Sequence, residues 1–225
     1  MLNAKNVVVF DFETNGLDTE TLDPIEIACC VIDRRSMKII EGSEFESLMC
    51  PENPSMVDNT EGKRKALSIN KIDPEKVKQA PKIDVVWKRF CEHVQKYNIQ
   101  GTSPFGAAIP AGKNIRSFDM PIVNRLCKKY NFVDKGGKQN IFSQREMIDL
   151  EDDLYRWFGR STRLPNLKMD TLREYLGISS ENSHRAMVDV KQTAELIIKF
   201  QSLYDKFIEM VPLLRDGCET WKSKK

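Results

Sequence analysis

Residues 6–11 read Asn-Val-Val-Val-Phe-Asp, a β-branched run that ends on a carboxylate, with a second carboxylate, Glu13, two residues on. A run of this composition closed by Asn15-Gly16 reads as a strand entering a turn. Two further runs follow, an apolar one at 25–33 (IEIACCVID) and a weaker alternating one at 37–49 (MKIIEGSEFESLM). Turn-forming text separates them, from Asp18 to Pro24 and then at Arg34-Arg35-Ser36. Three successive strands with links this short read as an antiparallel meander that opens the domain.

Beyond the meander the pattern changes. Residues 51–82 are polar and carry Pro51, Pro54, Pro74 and Pro81, as expected of a surface loop with short helical pieces. At 83–97 apolar residues recur three or four apart (Ile83, Val86, Trp87, Phe90, Val94, Tyr97), the spacing of a helix. Residues 105–112 suit a short buried strand, and 117–130 a helix with Ser117 as cap and Pro121 in its first turn. Residues 133–140 read as a loop. Helices are expected near 150–158, at 168–176 (closing at Gly177) and over 184–209. Strands first, then strands alternating with helices, predict an α/β domain around a mixed sheet. The expected division is a domain over 1–210 and a polar, basic tail over 211–225, and no internal repeat is evident.

Composition narrows the class. The 225 residues are 40% apolar and 30% charged, enough to bury one core and stay soluble. No apolar run approaches the roughly 20 residues that span a bilayer. Met1 to Val9 enters the first strand without a charged leader or cleavage site, so the expectation is a cytoplasmic protein with no membrane partner. Six cysteines without a CxxC pair predict reduced, mostly buried thiols. A net charge of +2 neither requires a nucleic-acid partner nor excludes one.

Chemistry concentrates in three segments. In a strand, Asp11 and Glu13 share a face, where they repel unless a cation lies between them. Taken alone, the pair also fits a solvated strand end. Asp119 falls in the first turn of the 117–130 helix, where a carboxylate is favoured by the helix dipole whatever its function. His184, one of two histidines, and Asp189 open the last helix beside an inward stripe of Ala186, Val190, Ala194, Ile197 and Ile198. A carboxylate beside such a stripe needs a partner. His93 reads as an ordinary helix-surface residue.

Together, FDFETNGLD (10–18), NIRSFDMPIVN (114–124) and SHRAMVDVKQTAEL (183–196) resemble the three exonuclease motifs of the DEDDh family. That family includes the proofreading epsilon subunit of bacterial DNA polymerase III and RNase T-like enzymes, and the similarity covers roughly residues 5–200. It implies a ribonuclease H-like fold, a mixed five-stranded sheet flanked by helices. It assigns Asp11, Glu13, Asp119 and Asp189 to two Mg2+ ions, with Mn2+ able to substitute, and His184 to the role of general base. Phe12, Thr14, Leu17, Asn114 and Phe118 would border the terminal nucleotide, with Leu17 wedged by the last base.

The activity so implied is 3′→5′ hydrolysis of single-stranded DNA, with RNA left open as a further substrate, releasing nucleoside 5′-monophosphates. The partner would be single-stranded nucleic acid with a free 3′ end. An exoribonuclease or oligoribonuclease with the same site, or a non-catalytic binding or polymerase-docking module, stays as an alternative. A homodimer and a polymerase partner are both left open. Two departures stand out. Where many relatives carry His-Gly-Ile-Thr, this chain has Ser68 to Asp73, with Asn70 or Lys71 in place of the small residue, and the 133–166 segment is long and charged.

Overall fold

Strand β1 (Val7–Thr14) lies at the centre of the sheet, antiparallel to β2 (Pro24–Asp33) and parallel to β5 (Ile109–Gly112). It is buried on both faces, and its alternation divides two cores. Val8, Phe10 and Phe12 pack with α3 (Ile83–Gln95) and α4 (Asp119–Lys129). Val7 and Val9 pack with Leu150 and Leu154 of α5 (Leu150–Phe158), Leu172 of α6 (Met169–Leu176) and the Ala186, Val190, Ala194, Ile197 stripe of α7 (Ala186–Gly217). Each such fully buried side chain contributes about 1.5–3 kcal/mol, so helices on both faces hold β1 in place. The computed structural model describes residues 5–99, 106–160, 164–178 and 185–217, with side chains through residue 210.

The α/β domain is built on a mixed sheet of six strands in five lanes, one strand more than the five expected. Its order is β3-β2-β1-β5-β6, with β4 also paired to β2. Strands β3 (Lys38–Ile39) and β4 (Phe45–Leu48) share the edge lane, opposite Ile32–Asp33 and Glu26–Cys29 respectively. The single strand expected over 37–49 is therefore broken. Gly42 takes φ +74°, and the Val31 N–H donates to the Ser43 hydroxyl at the break. The short β6 (Ile148–Asp149), parallel to β5, was not foreseen.

Other boundaries move modestly. The strand expected over 105–112 begins only at Ile109 and ends at Gly112, and α7 runs to Gly217, past the expected end at 209. Ser117 does not cap α4. Phe118 occupies that position without a side-chain bond, and the Ser117 and Phe118 N–H groups both donate to the Asn114 carbonyl. The 51–82 segment forms α1 (Glu61–Ile69) and α2 (Pro74–Gln79) around a small core of Ile25, Val57, Leu67, Ile72 and Val77. The basic tail at 222–225 lies outside the described residues. The five described cysteines are free and buried, as expected. Among the described residues no helix is long and apolar enough to cross a membrane.

Candidate active site

Because side chains alternate along a strand, Asp11 and Glu13 continue the face of Val7 and Val9, the face α7 covers. The sheet places Asp11 opposite Ala28 and Glu13 opposite Glu26 on β2, so Glu26 joins the same face. From α7, the Ala186 N–H faces Glu26 and favours its ionised form, and one turn further Asp189 comes within electrostatic reach of both Asp11 and Glu13. Asp119, 2% exposed, enters from the first residue of α4, its Oδ1 accepting the Phe12 N–H at 3.2 Å. Three segments distant in sequence thus deliver their acidic side chains to one end of β1.

The electrostatic cost is visible in every member of this group with a resolved shift. Burial, with the charges of Asp189 and Glu26, pushes Asp11 up from 3.8 to about 7. Burial, then Asp11, Asp189, Glu26 and Asp119, push Glu13 from 4.5 to about 9. Asp119 is raised well above its ordinary value by burial and by Asp11, against the opposing pull of the Phe12 N–H. Glu26 is raised by burial and Glu46, with Arg185 and the Ala186 N–H acting the other way. Its Oε2 is buried and has no hydrogen-bond partner among the described residues. Carboxylates crowded in this way ionise readily only beside added positive charge.

An all-oxygen donor set suits a hard divalent cation such as Mg2+ or Mn2+ and suits zinc poorly, so the residues fit the ions the resemblance implies. They are not closed around one. Among the described residues, no three His, Cys, Asp or Glu side chains converge tightly enough to enclose an ion as they stand. Two of the acids are already committed, Asp119 through Oδ1 to the Phe12 N–H and Asp189 through Oδ1 to Arg173.

The other expected site residues divide. His184 lies outside the described residues; the described chain resumes at Arg185, whose carbonyl accepts the Asp189 N–H at 3.1 Å. Thr14 donates its hydroxyl to the Gly16 carbonyl at 2.7 Å. Leu17 is 89% exposed and lines a cleft of about 610 Å³ with Leu22, Ala66 and Ile69. The Phe12 ring is in the core, 6.2 Å from Trp87, so what it brings to the site is its backbone N–H. Phe118 packs partly buried against the same core. Asn114 holds a left-handed φ of +58°.

Three residues that the sequence did not single out matter here. Asp149 is buried and accepts the N–H groups of Asn114 (2.8 Å), Arg116 (3.1 Å) and Glu151 (3.0 Å), so it fixes the loop that leads into Asp119. Its signal was present, an aspartate directly before an acid-rich helix start. Glu26 was visible as a carboxylate inside an apolar strand run. Arg173 had no signal beyond a basic residue on a helix.

A meander followed by parallel βα units, with acidic side chains gathered at the end of the first strand, defines the ribonuclease H-like class of α/β domains. The chain belongs to the exonuclease (RNase T) family, whose sequence profile matches residues 8–197. It is 29% identical over 194 residues to the PolC-type DNA polymerase III of Caldanaerobacter subterraneus subsp. tengcongensis, covering 85% of this chain and 11% of that one. To the PolC-type DNA polymerase III of Bacillus subtilis it is 27% identical over 199 residues, 88% and 12% of the two chains. It therefore spans about an eighth or less of these curated relatives. In fold it is similar to Escherichia coli exonuclease I in complex with a dT13 oligonucleotide (TM-score 0.64, 18% identity, 92% of this chain and 44% of that one). Cell-death related nuclease 4 is similar at a TM-score of 0.64 with 15% identity, 88% and 64% of the two chains.

Proposed function

We propose that the chain is a 3′→5′ exonuclease that hydrolyses single-stranded DNA one nucleotide at a time and releases nucleoside 5′-monophosphates. The observation that carries this reading is the gathering of Asp11, Glu13, Asp119 and Asp189 from three separate segments, with the resolved shifts all upward through burial and mutual repulsion. Asp11, Glu13 and Asp189 would hold one divalent cation, and Asp11 with Asp119 a second. When bound, the two ions supply the positive charge that eases both deprotonation of the attacking water and departure of the 3′-oxygen. His184, directly before Arg185, the residue that precedes α7, would take the water proton at a ring nitrogen, a role suited to its ordinary pKa near ~6.5.

Around this centre the chain's own groups would orient the strand. Leu17, exposed at the rim of its cleft, offers an apolar surface for the terminal base, with Thr14 beside it. Asn114 and Phe118 flank the loop into Asp119. DNA is favoured as the polymer because the curated relatives are DNA polymerases and a structural neighbour holds a deoxyribonucleotide oligomer. The test is digestion of 5′-labelled and 3′-labelled single strands of DNA and RNA, with Mg2+ and with EDTA. A ladder shortening from the 3′ end of DNA, with labelled mononucleotide released first from the 3′-labelled strand, supports the reading. Cleavage from the 5′ end, internal cleavage, or undiminished activity in EDTA overturns it.

A further inference from the structure

Arg173, on α6, is 2% exposed, and all three arms of its guanidinium are engaged. Nε donates to Gln192 Oε1 at 2.7 Å, Nη1 to Asp170 Oδ1 at 2.7 Å, and Nη2 to Asp189 Oδ1. Asp170 lies one turn back on its own helix, whereas Asp189 and Gln192 are three apart on α7 and so share a face. A buried guanidinium is tolerated only when its donors are satisfied. Here that requirement ties α6 to α7 at the one acidic residue that α7 contributes to the site.

We infer that Arg173 is the positioning residue for Asp189: its fork fixes one carboxylate oxygen, so that the other is presented to a divalent cation alongside Asp11 and Glu13. The inference rests on the two-cation reading above. Asp189 is within electrostatic reach of Asp11 and Glu13, whose charges repel it, and it stands on a helix surface where rotation could carry it away. Arg173 opposes that rotation from behind. A planar fork can span three acceptors in fixed directions, which a lysine ammonium cannot. The partner of a liganding carboxylate commonly sets how well the carboxylate binds its ion.

Geometry and charge predict opposite signs for the loss of Arg173. If only charge mattered, removing a cation beside an acidic centre would tighten Mn2+ binding. If the fork positions Asp189, Mn2+ binding weakens. The experiment is calorimetric titration of the full chain with Mn2+ alone, without nucleic acid, for the native protein, Arg173→Met and Arg173→Lys, with circular dichroism to confirm folding. The expected result is at least about tenfold weaker binding in Arg173→Met, with Arg173→Lys also weakened although it keeps the buried charge. Arg173→Lys decides the matter if Arg173→Met fails to fold. Native or tighter Mn2+ affinity in the folded variants overturns the inference. If the native chain binds no Mn2+, the two-cation reading itself fails and this inference with it.

Discussion

Glu13 on β1 stands directly opposite Glu26 on β2, on the sheet face that α7 covers, and burial and neighbouring carboxylates raise the pKa of both. Like charges placed directly across a strand pair are destabilising. A fold that keeps such a pair beside Asp11 is arranged to receive positive charge.

The first expectation concerns pH. Asp11 and Glu13 titrate at about 7 and about 9 in the fold, against 3.8 and 4.5 ordinarily. Between those limits the folded chain retains protons that the unfolded chain releases, so the stability from these groups is full at low pH and is lost as pH rises. Asp18 and Asp33, whose carboxyls are held low by hydrogen bonds, act only in the acid region below this window. In EDTA, the unfolding temperature should fall steadily from pH 5 to pH 9, and saturating Mg2+ should flatten that slope. A flat profile in EDTA would contradict the crowding.

Replacing Glu26 by Gln removes one charge and keeps an acceptor for the Ala186 N–H. In EDTA at pH 8 the variant should melt higher than the native chain, by about 2–4 °C for each kcal/mol of repulsion relieved. Differential scanning calorimetry measures this, and a lower melting point would show that the Glu26 charge holds α7 in place.

Asp149→Ala strips acceptors from the N–H groups of Asn114, Arg116 and Glu151. Loss of a helix cap together with unsatisfied donors should cost about 2–3 kcal/mol, read as a lower denaturant midpoint. Hydrolysis should fall too, because the loop into Asp119 loses its anchor. Asp149→Asn should recover part of both.

How much of this was legible beforehand follows from range. The β1 strand, the 83–97 helix and the 150–158 and 168–176 helices are written in local periodicity and in glycine or aspartate at their ends, and their bounds came within a few residues. The acidic residues were legible as members of motifs, and only together. Arg173 was not, and Asp149 was legible only as a helix cap, because their roles at the site depend on contacts across 16 and 35 positions of sequence. The broken edge lane was missed because a serine hydroxyl replaces a backbone partner at Val31, a substitution that strand periodicity does not register.

Lys71 shows the reverse case, a departure seen in sequence and explained by structure. It occupies φ +54° in the stretch where the family resemblance expects a small residue at Asn70 or Lys71, directly after Asn70, whose amide donates to the Thr14 carbonyl. A left-handed conformation costs an ordinary residue about 1–2 kcal/mol. Lys71→Gly should therefore raise stability by up to about 1 kcal/mol in denaturant unfolding, and a fall would mean that the lysine side chain contributes more than the strain costs.

The central claim is that the acids at the end of β1 exist for cation-dependent hydrolysis and not for stability. Asp11→Asn tests it most directly, with hydrolysis of 5′-labelled single-stranded DNA in Mg2+ and the melting temperature in EDTA measured on the same preparation. The account predicts loss of 3′-end hydrolysis by at least about 100-fold, since several kcal/mol of charge stabilisation are removed, together with an unchanged or higher melting temperature as one repelling charge disappears. Asp11→Asn protein that digests DNA at the native rate would contradict it.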